Sequence, residues 1–182
     1  MRAQLLTADA RYHVEFSIPL PDGSTEIDVL IQDGATSTVV MAELKWIRKP
    51  AKALERLSRE EDLLKGIQQL ELIREYGRTH PTFLFDRGKL SKPLDSYENV
   101  HHILLVRDYW HWIEPNDSIA VADFDEFMRG YKASPSLKEF TEELLRYEWL
   151  PVEDRDFYVE YSADSVNGAV IESALFKPGP RP

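Results

Sequence analysis

The segment TVVMAELKW at 38–46 constrains this chain more than any other. Its first half, after Thr38, is the apolar run Val39-Val40-Met41-Ala42, so a strand built from it shows apolar side chains on both faces. Such a strand is stable only when it is covered from both sides, which calls for a sheet with layers packed on each face. The 182 residues suffice for one domain, and a composition of 43% hydrophobic and 30% charged residues supports a packed core.

The flanking segments fit that requirement. RYHVEFSI at 11–18 carries strand formers, and Pro19, Pro21, Asp22 and Gly23 supply the turn that ends it. TEIDVLIQ at 25–32 makes a second strand, with Ile27, Val29 and Ile31 on one face and Glu26, Asp28 and Leu30 on the other. Asp33-Gly34 is a hairpin signal, lengthened by Ala35 and Thr36. After Pro50 the pattern predicts a long helix from about Ala53 to Tyr76, ended by Gly77 and Pro81. Leu57, Leu63, Leu64, Ile67 and Leu70 form its main apolar stripe, while Leu54, Leu72 and Tyr76 lie on another side.

Strands are expected at 101–107 and 119–123, then helices from Phe124 to Tyr131 and from Ser136 to Tyr147. A hairpin around Asn167-Gly168 follows, built from FYVEYS and AVIESALF. The order gives a mixed β-sheet flanked by helices, an α/β or α+β domain over 1–176 with a flexible tail at 177–182.

Composition removes several functions. The chain has no cysteine, which excludes disulfides, thiolate metal sites and a cysteine nucleophile. Walker A, G-x-G-x-x-G, G-x-S-x-G and EF-hand patterns are absent. No apolar run approaches the ~20 residues of a membrane span, and the first residues lack a signal peptide's apolar stretch. The expectation is a soluble cytoplasmic protein without a membrane partner.

The net charge of −10 repels phosphate backbones on average, so nucleic-acid binding needs a local basic patch. Lys45 to Lys65 is such a stretch, with seven basic residues against Glu55, Glu60, Glu61 and Asp62. Lys49, Lys52 and Arg56 are its candidates for contact with a phosphate backbone. The competing reading is ordinary helix-surface charge balanced by pairs such as Glu55–Arg59. His101 and His102 are adjacent on a strand and face opposite ways, so structural roles are expected for the histidines. The aromatic run YWHW at 109–112 is expected to cap a core.

One constellation carries chemistry. Asp28 lies in a strand among apolar residues, where an unpaired carboxylate is costly. Glu43 and Lys45 are two apart on the next strand and share a face, with Leu44 turned the other way. The hairpin can bring all three together. Two carboxylates and the Leu44 carbonyl make an oxygen site suited to Mg²⁺ or Mn²⁺. A lysine beside such an ion can orient or deprotonate a water, an arrangement suited to phosphodiester hydrolysis.

The sequence of strand, Asp28, hairpin, Glu43-Leu44-Lys45 and helix resembles the PD-(D/E)XK nuclease superfamily over about residues 11–107. The resemblance implies a restriction-endonuclease-like fold, metal binding by Asp28 and Glu43, an active-site role for Lys45, and DNA as substrate. Members often carry a glutamine on the helix after the motif. Gln69, preceding Leu70, is the better textual match, while Gln68 lies closer to the apolar stripe, and both stay open. The residue before the aspartate is Ile27 in place of a proline or small residue, and Ile73 stands where some branches have a tyrosine. The helix that usually precedes the first strand is expected to be missing, and Glu15 is a candidate third carboxylate. Many such nucleases pair to cut two strands, so the resemblance leaves a homodimer open. The fold also has inactive members, so the rival expectation is a non-catalytic interaction or dimerisation module.

Overall fold

The computed structural model describes residues 11–46, 53–107, 119–146, 157–166 and 169–178, with the backbone alone for 53–57 and from 157 onward. Chain contacts divide it into two compact units, Met1–Leu145 and Arg146–Pro182.

The first unit is built on a mixed five-stranded sheet in the order β1-β2-β3-β4-β5. The strands are β1 (His13–Pro19), β2 (Glu26–Asp33), β3 (Thr38–Trp46), β4 (Asn99–Arg107) and β5 (Ala120–Asp123). β1, β2 and β3 form an antiparallel meander, whereas β3–β4 and β4–β5 pair in parallel. The parallel step at β3–β4 requires a crossover, supplied by helix α1 (Ala53–Thr79). The doubly apolar strand takes the central place, with Val39, Val40, Met41 and Ala42 fully buried.

Each face of the sheet has its own cover. On one side Leu63, Leu70 and Ile73 of α1 join Leu30, Val39, Met41, Leu104 and Val106 in a single core. The short helix α2 (Phe83–Asp86) adds Phe83 and Leu84 to it. Helices α3 (Phe124–Ala133) and α4 (Leu137–Leu145) pack against β4 and β5, burying Phe124, Phe127, Tyr131, Leu137, Phe140 and Leu144. Asp123 caps α3 by accepting from Asp125 N and Glu126 N.

The β2–β3 connection is tied to α4 by one carboxylate. Asp33 Oδ1 accepts from Ala35 N at 2.9 Å and Thr36 N at 3.3 Å, and Oδ2 accepts from Thr36 Oγ1 at 2.7 Å. Oδ2 also takes the Leu137 N–H at 3.2 Å, at the start of α4. Burial opposes ionisation of Asp33, but the bonds from Thr36, Leu137 and Ala35 outweigh it and hold its carboxyl below the ordinary value.

Several expectations shift. α1 runs to Thr79, so Gly77 lies inside the helix. A Cβ at Gly77 would stand 2.8 Å from Leu94 Cδ2, so close packing, not termination, accounts for that glycine. The helix stops before Pro81, whose ring restricts the preceding residue. Leu64 is 52% exposed and Leu72 50%; the buried stripe runs through Leu63, Gly66, Leu70, Ile73 and Gly77, with Ile67 partly buried. α4 ends at Leu145, short of Tyr147. The expected absence of a preceding helix falls on residues 1–10, outside the described residues. Among the described residues no helix is long and apolar enough to cross a membrane.

The second unit is an antiparallel hairpin of β6 (Phe157–Val166) and β7 (Ala169–Pro178), paired from Phe157↔Pro178 to Val166↔Ala169. Lys177 and Pro178, placed in the tail by the sequence reading, belong to β7.

Replacing Asp33 by alanine leaves the turn and the α4 start without their acceptor, and is expected to cost about 2 to 4 kcal/mol in urea unfolding at neutral pH. Because the folded carboxyl titrates below its unfolded value, its contribution is present above about pH 4 and lost on further acidification. Asp33→Asn should lose less stability at pH 7 and show no such acid component.

Candidate active site

Asp28 and Glu43 meet through the β2–β3 register. Paired residues sum to a constant from Asp33↔Thr38 to Val29↔Ala42, which sets Asp28 opposite Glu43 one step beyond the ladder. Residues directly opposite in an antiparallel pair share a face. Past Ala42 the backbone ladder gives out, and the Leu44 N–H donates instead to Asp28 Oδ2 at 2.8 Å. The Asp28 side chain thereby replaces a ladder partner and is held in one orientation.

The β1 side is distorted at the same level. Phe16↔Val29 and Ile18↔Ile27 pair normally, and between them Ser17, opposite Asp28, has a φ of +52°. A left-handed serine in a strand costs about 1 kcal/mol or more.

Glu43 is 3% exposed and Lys45 half-buried. Lys45 Nζ donates to Glu43 Oε1 at 2.8 Å and to Gln69 Oε1 at 2.7 Å. The Gln69 amide donates onward to Thr25 Oγ1 at 3.3 Å. Glu43 Oε2 is buried with no hydrogen-bond partner among the described residues. Burial pushes the Glu43 carboxyl up to about 7; Lys45 opposes the rise and the neighbouring Asp28 charge adds to it.

The structure thus brings together Asp28, Glu43, Lys45 and Gln69. Gln68 is exposed and makes none of these bonds, which separates the two glutamines left open by the sequence. Glu15 does not join the carboxylates: it lies opposite Leu30 and pairs with Lys89 at 3.0 Å. Among the described residues no group of three or more His, Asp or Glu side chains could hold a metal ion; Asp28 and Glu43 are the two carboxylates that meet. Leu44, expected to turn into a core, is only half-buried.

Lys49 and Lys52 lie outside the described residues, and of Arg56 only the backbone in the first turns of α1 is described. Further along, Arg59 and Lys65 both pair with Asp62, at 3.7 and 3.8 Å. These are partly exposed i,i+3 pairs of small energetic weight. YWHW at 109–112 also lies outside the described residues. Trp46, at the end of β3, is 64% exposed, with the Arg107 guanidinium 5.0 Å from its ring centre.

Two contributors escaped the sequence reading. Thr25 anchors Gln69, and nothing in its local sequence signals this. Gly66 had a signal, since a glycine inside a helix costs about 1 kcal/mol against alanine and calls for a packing reason. A Cβ there would stand 2.7 Å from Leu104 Cδ1 and 3.0 Å from Lys45 Cε. The bare backbone lets the lysine stem pass between helix and sheet to reach Glu43 and Gln69.

Gly66→Ala is expected to lower stability by about 1 to 2 kcal/mol in urea, overpacking outweighing the gain in helix propensity. Part of that loss should return in the double variant with Lys45→Ala, which removes one of the two crowded side chains. Glu43 gives a pH signature. Its folded value lies above its unfolded one, so its contribution is full below about pH 4.5 and is lost as pH rises through about 7. Glu43→Gln should therefore gain roughly 2 to 3 kcal/mol relative to wild type between pH 4.5 and 8, read by thermal or urea unfolding.

Comparison with family models, with curated proteins and with solved structures finds no match to this chain, so the reading of the site rests on its own geometry.

Proposed function

We propose that this chain is a Mg²⁺- or Mn²⁺-dependent nuclease of PD-(D/E)XK type, hydrolysing DNA phosphodiester bonds in the cytoplasm. One observation carries the reading: Glu43 Oε2 is buried beside Asp28 and makes no hydrogen bond within distance and angle limits among the described residues. Such an oxygen leaves the carboxylate unsatisfied, a cost that a cation offsets. Asp28, Glu43 and the Leu44 carbonyl are the oxygens that would hold it, and their hardness suits Mg²⁺ or Mn²⁺. Bound there, the ion would neutralise phosphate charge and acidify a water.

The chain's own residues supply the rest. The Leu44 N–H fixes Asp28, so its carboxylate is oriented before any ligand arrives. Of the three donors on Lys45 Nζ, Glu43 and Gln69 take two. One is left to hold a water or a phosphate oxygen. Gln69, braced by Thr25, positions Lys45 and does not itself reach the reacting atoms in this scheme. Lys49, Lys52 and Arg56 are the candidates for receiving the backbone, and Trp46 stands exposed at the strand end beside the site.

A second reading, a nuclease fold kept as a non-catalytic interaction or dimerisation module, is favoured by one feature. The Lys45 ammonium already neutralises Glu43 through a 2.8 Å contact, which reduces the need for a metal.

Cleavage of single-stranded and duplex DNA with Mg²⁺ or Mn²⁺ should fall by roughly 10²- to 10⁴-fold in Asp28→Asn and Lys45→Ala. Calorimetry with Mn²⁺ should show heat in wild type that Asp28→Asn and Glu43→Gln abolish. Equal cleavage in all proteins rules out the enzyme, and absence of carboxylate-dependent heat leaves the scaffold reading.

A further inference from the structure

A cavity of about 600 Å³ lies away from the carboxylates, at the opposite end of the central strands. The strand β5 beside this end of β4 is short. That strand covers only Ile103–Val106 of β4, so among the described residues no strand flanks Asn99–His102 on that side. His101 and His102 line the opening, with Arg74 and Arg78 of α1 and the apolar Val100 and Leu145. From Gly66, beside Lys45, to Gly77 in the cavity wall is eleven residues of α1, roughly 16 Å along its axis.

The polar groups in this wall are unusually short of partners. His101 Nε2 and His102 Nε2 are both buried without a hydrogen bond among the described residues, and His102 is only 7% exposed. Both nitrogens are closed to solvent, so the two rings report on the wall and are not offered to an occupant. Arg74 makes no ion pair among the described residues, while Arg78 is shared with Glu75 at 2.7 Å. Among the described lining residues Asp95 is the one carboxylate, against two guanidinium groups, and Glu142 of α4 acts on His101 as a further negative charge. Burial, then the Arg74 charge, push the His102 imidazole down to about 4, which registers a positive potential next to the ring.

We infer that this cavity is a second binding site, for a small organic molecule with an anionic phosphate or carboxylate head and an apolar body. Arg74 and Arg78 meet the head, Val100 and Leu145 meet the body, and the His101 and His102 rings form part of the wall. The volume is in the range that holds a drug-sized ligand. The site is independent of the nuclease reading, since it shares no residue with Asp28, Glu43, Lys45 or Gln69.

The test uses the full chain and follows histidine ring resonances by NMR, assigned with His101→Gln and His102→Gln, during titration with phenyl phosphate, benzoate and benzyl alcohol. At least one anionic probe should shift the His101 and His102 signals saturably, and benzyl alcohol should not. Which anion binds distinguishes a phosphate from a carboxylate ligand. Arg74→Gln, at an exposed position, should weaken binding at least tenfold, with Arg78→Gln as a second variant. Asp28→Asn should leave binding unchanged. The inference is overturned by no saturable shift, by equal binding of the neutral probe, or by full affinity in both arginine variants.

Discussion

Placing one carboxylate opposite another at a half-buried position is unfavourable, and the β2–β3 register does this at Asp28 and Glu43. The rest of the site follows from how that conflict is contained. Asp28 is held by a backbone N–H in place of a ladder bond, and Glu43 by the Lys45 ammonium. Lys45 in turn needs a second acceptor, which Gln69 supplies from α1, and Gln69 needs Thr25. The chain of contacts crosses from sheet to helix and back to the β1–β2 connection. It leaves one oxygen, Glu43 Oε2, without a hydrogen-bond partner among the described residues.

The containment depends on how closely α1 approaches β3 and β4. Gly66 and Gly77 lie eleven residues apart on the buried stripe of that helix, and at each a methyl group would collide with a neighbouring leucine. The first glycine admits the lysine stem to the site; the second borders the cavity on the other side of the core. One helix therefore serves two distant regions, with polar residues offset from its buried stripe. Gln69 faces the carboxylates, and Arg74 and Arg78 face the histidines.

On the opposite face of the sheet a different carboxylate organises the packing. Asp33 is nearly fully buried, yet it remains ionised because four donors surround it. Asp33 and Glu43 are both at the sheet and both buried, with opposite consequences. Asp33 has more donors than a carboxylate needs to stay charged, and Glu43 has one cation and one like charge. Donor supply, not depth alone, separates the carboxyl held below its ordinary value from the one pushed above it.

The sequence alone determined the strand and helix order, the central place of 38–46, and the pairing of Asp28 with Glu43 and Lys45 on one face. These follow from periodicity of two along a strand, and from a hairpin too short to permit many registers. It did not decide between Gln68 and Gln69, because adjacent helical residues differ by 100° and only the docking of α1 says which one faces Lys45. The same docking reversed the reading of Gly77 and exposed Leu64, since an apolar stripe drawn from sequence is wider than the strip the sheet covers. The Thr25 contact, the short pairing of β5 with β4 and the cavity near it depend on contacts between residues far apart in the chain. Local spacing carries no trace of such contacts, and only the packed structure created them.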